Sequence, residues 1–125
     1  MNSATIKEAL KNFALNTRLN RRHPTNSVWE IYTPYYFPEP FESLELFMRV
    51  YFEKDFVEIE VLRKEKWGVI NCLTDNFDYE FDGTYVDEED LGICQQYLFR
   101  FTEEEKLVKF LSVYQKYIQE FLETI

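Results

Sequence analysis

The stretch Leu44–Leu62, LELFMRVYFEKDFVEIEVL, decides the fold because it predicts two neighbouring β-strands joined by a short turn. In residues 44–52, apolar side chains occupy both phases of the alternation, which is typical of a central strand covered on both faces. The polar turn Glu53–Asp55 follows, and residues 56–62 then alternate with period two. The apolar phase of this second strand is Val57, Ile59 and Val61, and its polar phase is Glu58 and Glu60. The second strand is therefore predicted to have one solvated, acidic face.

The N-terminal segment predicts an amphipathic helix. Its apolar residues follow the i, i+3, i+4, i+7 repeat of one helix face, and they are Ile6, Ala9, Leu10 and Phe13. Ser3 or Thr5 can cap this helix, which should end near residues 16–20.

Prolines divide the segment between this helix and the central strand pair. His23 precedes Pro24, and a proline disfavours helical backbone at the residue before it, so an extended or turn geometry is predicted there. Residues 28–33 are β-branched and aromatic and predict a strand. Three prolines in residues 34–41 then predict a loop or an edge segment.

The segment after the central pair predicts further strands. Residues 67–73 predict a third strand, and Asp82–Gly83 predicts a tight hairpin turn between two short strands. Residues 87–101 fit either a helix capped by Asp87 or a strand at 97–101. We favour a short helix or loop followed by a strand.

The C-terminal segment predicts a long helix packed on the sheet. Thr102 and Glu105 form a capping box, and the acids of Glu103–Glu105 suit the positive end of the helix dipole. One face of this helix is apolar and consists of Leu107, Phe110, Leu111, Tyr114, Ile118, Phe121, Leu122 and Ile125.

These elements predict one α+β domain over residues 1–125. The domain would contain an N-terminal helix, a mainly antiparallel sheet of about five strands in meander order, and the long C-terminal helix. The chain of 125 residues is 46% hydrophobic and 18% aromatic, so it can bury a core without metals or disulfides. Cys72 and Cys94 are expected to be buried, reduced thiols, because two cysteines cannot form a dense disulfide framework.

The formal net charge of −9 argues against nucleic acid or an anionic membrane as the ligand, because phosphates would be repelled. The N-terminus has no signal-peptide pattern, and no apolar run approaches the length of a membrane span. We therefore expect a cytoplasmic protein whose partner is cationic.

Catalytic and metal-binding motifs are weak in this sequence. Residues 78–89 place acids at positions 1, 3 and 5, Gly at 6 and Glu at 12 of a calcium loop, but a strand-like run precedes them where an EF-hand needs a helix. His23 is the single histidine and is expected to be exposed in a turn, away from both cysteines. We expect no catalytic residues, no metal site and no cofactor, and hence no enzyme.

An acidic, aromatic surface is the candidate partner-binding site. Between Trp67 and Phe99 the chain has no Lys or Arg and eight acids, whose mutual repulsion a cationic partner would relieve. Interleaved aromatic rings could anchor such an interface. The candidate residues are Asp75, Asp78, Tyr79, Glu80, Asp82, Tyr85, Asp87, Glu88, Glu89 and Asp90, together with Tyr35 and Tyr36 of the proline-rich segment.

In its general character, the chain resembles the small, acidic immunity proteins with which bacteria neutralise cationic toxin domains, many of them nucleases. Size, charge and the acidic aromatic segment carry this likeness, and no motif does. The likeness implies a stoichiometric inhibitor that binds a basic protein and occludes its active surface.

Type III secretion chaperones are the alternative class. They are small, acidic α+β homodimers that bind an effector segment, and their element order typically places a helix among the strands. The two classes differ in oligomeric state, since an inhibitor can act as a monomer whereas a chaperone is an obligate homodimer.

Overall fold

A computed structural model describes residues 1–32, 46–64, 71–87 and 92–123, without the side chains of residues 46–47, 63–64, 82, 84–87, 92–95 and 121–122. Three helices and six strands lie in these ranges. They are α1 (Ser3–Thr17), β1 (Asn20–Thr25), β2 (Val28–Tyr32), β3 (Leu46–Phe52), β4 (Val57–Lys64), α2 (Asn71–Thr74), β5 (Glu80–Asp87), β6 (Gly92–Phe101) and α3 (Glu104–Glu123). The α+β class and both terminal helices are as the sequence predicts.

The six strands form one antiparallel sheet in the order β1-β2-β3-β4-β6-β5. The prediction of about five strands was one short, and the meander holds only from β1 to β4. β6 then pairs with β4, which leaves β5 at the edge of the sheet. β1 and β5 are therefore the two edge strands.

The hydrophobic core lies between one face of the sheet and the helices α1 and α3. Alternate residues of the central strands face the helices, and those of β2, β3 and β4 are Trp29, Ile31, Met48, Val50, Val57, Ile59 and Val61. The Phe110 ring of α3 packs against Phe99 and Phe101 of β6, with ring centroids 4.8 and 5.2 Å apart. Phe13 of α1 contacts Tyr114 of α3, with centroids 5.6 Å apart. The five α3 face residues from Leu107 to Ile118 are buried as predicted, whereas the side chains of Phe121 and Leu122 and all of Ile125 lie outside the description.

The start of α1 is capped by a residue other than those predicted, and its end lies where it was predicted. Asn2, rather than Ser3 or Thr5, is the N-cap, and its Oδ1 accepts hydrogen bonds from the Ala4 and Thr5 amides at 3.0 and 3.3 Å. The helix ends at Thr17, within the predicted limits, and Arg18 closes it in the left-handed region with φ 60°. At the other terminus, α3 begins at Glu104, so Thr102 lies one residue before the cap position.

Three local predictions concern residues 23–24, 67–73 and 82–83, and the last two were wrong. The first concerns only one of two alternatives: the extended geometry predicted at His23–Pro24 is confirmed and the turn is not, because both residues belong to the edge strand β1, where an edge position tolerates the missing amide of Pro24. The end of the predicted third strand is helical, because Asn71–Thr74 forms α2. The hairpin expected at Asp82–Gly83 is instead a register shift within the continuous strand β5, where Gly83 adopts φ 141°.

Most of the ambiguous segment 87–101 belongs to strand β6, which begins at Gly92, earlier than the predicted strand at 97–101. Residues 88–91, where a short helix or loop was expected, lie outside the described ranges. Among the helices that the structure describes, none is long and apolar enough to cross a membrane.

Candidate partner-binding groove

The segment that follows α2 carries the acidic and aromatic residues of the candidate site. The Asp75 amide donates to the Asn71 carbonyl at 2.8 Å, and the Phe77 amide donates to the Leu73 carbonyl at 2.9 Å, which closes the helix. The half-buried Phe77 ring packs edge-on against Phe110 of α3, with centroids 5.2 Å apart. This anchor fixes the point at which the chain leaves the core and enters β5.

Two aromatic rings stay exposed immediately after this anchor. The residues Tyr79 and Phe81 are 46% and 52% exposed, although both rings contact Tyr97 of β6, at centroid distances of 5.8 and 5.3 Å. One side of each ring packs against Tyr97, and the remainder of the ring is open to solvent. Such half-exposed rings can anchor an interface at little entropic cost, because they are already held in place.

A shallow groove of about 300 Å³ opens at the start of β5, and Tyr79 lines it whereas Phe81 does not. We call it the acidic groove, and its lining residues are Glu58, Asp78, Tyr79, Glu80, Leu98 and Arg100. Three carboxylates and one guanidinium line it, so its formal charge is negative. Strand pairing brings Leu98 opposite both Glu60 and Glu80, so the groove lies on the sheet face away from the helices.

Among the residues that the structure describes, a salt-bridge partner is present for only one of the three carboxylates in the acidic groove. Arg100 donates from Nη2 to Glu58 at 3.0 Å, and its guanidinium also lies 4.4 Å from the centre of the Phe56 ring. Asp78 and Glu80 are exposed, and neither forms a salt bridge with any residue that the structure describes. These two charges are therefore available to a cation from outside the described chain.

Two further acids of this sheet face, Glu30 and Glu60, are paired with arginines of neighbouring strands. Arg22, Glu30, Arg49 and Glu60 lie side by side on β1, β2, β3 and β4, and we call them the charge ladder. Glu30 accepts from Arg22 Nε at 2.5 Å and from Arg49 Nε at 2.9 Å. Arg49 Nη1 lies 3.8 Å from Glu60. The prediction of a solvated face on β4 is wrong for Glu60, which is 9% exposed, because the strands on either side cover it.

The charge ladder keeps Glu30 ionised despite its burial. Burial by itself raises the pKa of this carboxyl, which is 4% exposed. The hydrogen bonds and positive charges of Arg22 and Arg49 outweigh that effect, so the pKa lies below its ordinary value of 4.5. The two arginines and Glu30 thus form a structural ion cluster rather than a free acidic surface.

Basic residues surround His23 on the opposite edge of the sheet. The exposed His23 ring contacts Trp29 in a tilted arrangement, with centroids 3.9 Å apart. Slight burial and then the charges of Arg21, Lys11 and Lys7 lower the pKa of His23 from its ordinary value of 6.5. The structure thus separates a basic edge at β1 from an acidic edge at β5.

The structure brings together some of the predicted site residues. Asp78, Tyr79 and Glu80 converge on the acidic groove, whereas Asp75 is exposed nearby and does not line it. The backbone of Asp82, Tyr85 and Asp87 belongs to β5, but their side chains lie outside the description. Tyr35, Tyr36, Glu88, Glu89 and Asp90 fall outside the described residues altogether.

Sequence reasoning missed Glu58, Leu98 and Arg100 as lining residues. The alternation in β4 marked Glu58 as surface-facing, but nothing local connects it with Arg100, which lies 42 residues further along the chain. Only the β4–β6 register makes them neighbours.

The remaining motifs have structural outcomes as well. Residues 80–87 of the calcium-like pattern form an extended strand, whose backbone cannot wrap around an ion as an EF-hand loop does. No group of three or more potential metal ligands occurs among the described residues. Cys72 is half-buried on α2 rather than fully buried, and the Cys94 side chain lies outside the description.

Comparisons of the chain with protein-family models, with curated proteins and with solved structures found no match in any of the three.

Proposed function

We propose that this protein is a stoichiometric, non-enzymatic inhibitor that acts in the cytoplasm as an immunity protein and neutralises a cationic toxin domain. The acidic groove would receive Lys or Arg side chains that the toxin uses to hold phosphate groups. Toxins that act on nucleic acids are the class of partner that this chemistry fits. Inhibition would result from occlusion of the toxin's substrate surface.

The observation that carries the proposal is the pair of carboxylates, Asp78 and Glu80, which form no salt bridge with any described residue. They lie in a groove that Tyr79 also lines, and the exposed ring of Phe81 lies on the other face of β5. Two like charges close together repel each other, and a cationic partner converts this repulsion into attraction. The adjacent rings supply apolar area that such a partner can bury. Electrostatic attraction of this kind accelerates association and is weakened by salt.

Affinity capture with three matched baits tests the proposal. The wild-type protein, D78K/E80K and E8K/E120K are immobilised and exposed at low salt to lysate of the source organism, and captured proteins are identified by mass spectrometry. The control variant changes the net charge by the same amount at exposed positions on α1 and α3. We expect the wild type and E8K/E120K to retain one basic protein, which a narrow salt step releases, and D78K/E80K to lose it. Capture of the same protein by all three baits would contradict the role of the acidic groove.

The short helix α2 is the observation that favours the alternative, a homodimeric secretion chaperone, because it lies among the strands in chain order. Sedimentation equilibrium at high and low salt separates the two candidates. The inhibitor proposal predicts a monomer at high salt. A dimer that persists on dilution at high salt would favour the chaperone.

A further inference from the structure

The outer edge of β5 is a second surface that a partner could bind, in addition to the acidic groove. β5 ends the sheet order, and among the described strands only β6 pairs with it. An edge strand presents unpaired N–H and C=O groups that can pair with a further strand.

The two faces of β5 differ in chemistry at the point where it begins. Glu80 is paired with Leu98 and faces the acidic groove, together with the exposed Asp78. Phe81 is paired with Tyr97, and its half-exposed ring contacts that of Tyr97 on the side of the helices. Successive side chains of a strand point to opposite faces. A strand added along β5 would therefore meet carboxylates on one face and an aromatic ring on the other.

We propose that β5 binds an extended segment of the partner, in which basic and apolar residues alternate, as a seventh strand of the sheet. This inference rests on the proposed function and specifies how the partner is recognised. Charge complementarity decides the occupant: basic side chains of the segment lie over Asp78 and Glu80, and apolar ones lie against Phe81. Backbone hydrogen bonds to β5 hold the segment, and the alternation fixes its register.

Synthetic peptides test the inference without the natural partner. The probe is a fluorescently labelled nonapeptide of alternating Lys and Val, and its binding is followed by anisotropy. The first control is an isomer of the same composition with its lysines in one block. Two further controls carry N-methyl groups on the odd or on the even residues, since only one set of amides in an added strand points towards β5.

We expect the alternating peptide to bind roughly tenfold more tightly than the block isomer, because only its charges and apolar groups separate onto two faces. One N-methylated isomer should lose roughly tenfold or more in affinity, whereas the other should bind like the parent peptide. F81S should weaken binding of the alternating peptide, and E8K should leave it unchanged. The Phe81 side chain is more than half exposed, so F81S is expected to fold.

Equal affinity of both N-methylated isomers, or of the block and alternating peptides, would overturn strand addition. Such a result would leave the proposed function standing if capture of a basic protein still depends on Asp78 and Glu80, because a folded surface would then dock on the acidic groove. Loss of that dependence would instead remove the proposed function itself. The two failures are therefore distinguishable.

Discussion

At the scale of single residues, Glu30 is a carboxylate that stabilises the sheet through internal ion pairs and is not free to bind a partner. Its oxygens accept hydrogen bonds from two arginines on neighbouring strands, and its side chain is only 5% exposed. In E30Q the charge is lost and one of the two acceptor oxygens becomes an NH2 donor, so one guanidinium group faces a donor instead of an acceptor. We expect E30Q to lower the free energy of unfolding by about 1–3 kcal/mol in urea titrations. The control E120Q breaks an exposed pair with Lys116 and should cost no more than about 0.5 kcal/mol; equal losses would contradict the structural role of Glu30.

Two titrating residues predict the acid side of the stability curve. The pKa of Glu30 is lowered in the folded state, so its contribution is present above 4.5 and is lost as pH falls through the lowered folded value. The pKa of His23 is also lowered, so the unfolded chain binds more protons there, and stability begins to fall as pH drops below 6.5. We expect H23Q to weaken the pH dependence of the free energy of unfolding below 6.5, and E30Q to weaken it below 4.5. Urea titrations across this pH range measure both effects, and unchanged slopes would contradict the assignments.

At the scale of elements, the two ends of α1 make opposite contributions to stability. Asn2 satisfies two amides at the start, so N2A should cost about 1 kcal/mol. Arg18 holds a left-handed conformation that strains a residue with a Cβ, so R18G should gain up to about 1 kcal/mol. Thermal melts with R18A as the control check this, since alanine keeps the Cβ and should gain nothing. Equal melting temperatures for R18A and R18G would contradict the strain.

The sequence predicted best the helices and strands whose own residues show a regular apolar periodicity. The α3 face and the alternation in β4 follow from local periodicity, and the structure confirms both elements. β1 was missed because Pro24 and five other exposed residues give an edge strand no apolar alternation. The Asp82–Gly83 pair favoured a turn, but pairing with β6 keeps the strand continuous through a register shift. Likewise, the acidic part of the site was predictable from charge, whereas Glu58 and Arg100 join it only through tertiary register.

At the scale of the whole molecule, charge is distributed along the sheet from one edge to the other. Residues 1–23 contain five Lys or Arg and one acid, and β1 of this segment forms one edge. The acidic groove lies at the opposite edge, beside β5. Such a separation orients an approaching cationic protein towards β5 before contact, and this steering weakens as salt screens it. The captured partner should therefore associate more slowly as ionic strength rises, with a smaller change in its dissociation rate; stopped-flow kinetics at several salt concentrations measure both, and a salt-independent association rate would contradict steering.

The central claim is that Asp78 and Glu80 bind a basic protein stoichiometrically, and titration calorimetry of the captured partner tests it most directly. We expect a one-to-one complex with the wild type and with E8K/E120K, and an affinity more than about tenfold weaker with D78K/E80K. Circular dichroism should show the same fold for all three proteins. Equal affinities for the wild type and D78K/E80K would contradict the account and remove the acidic groove from the interface.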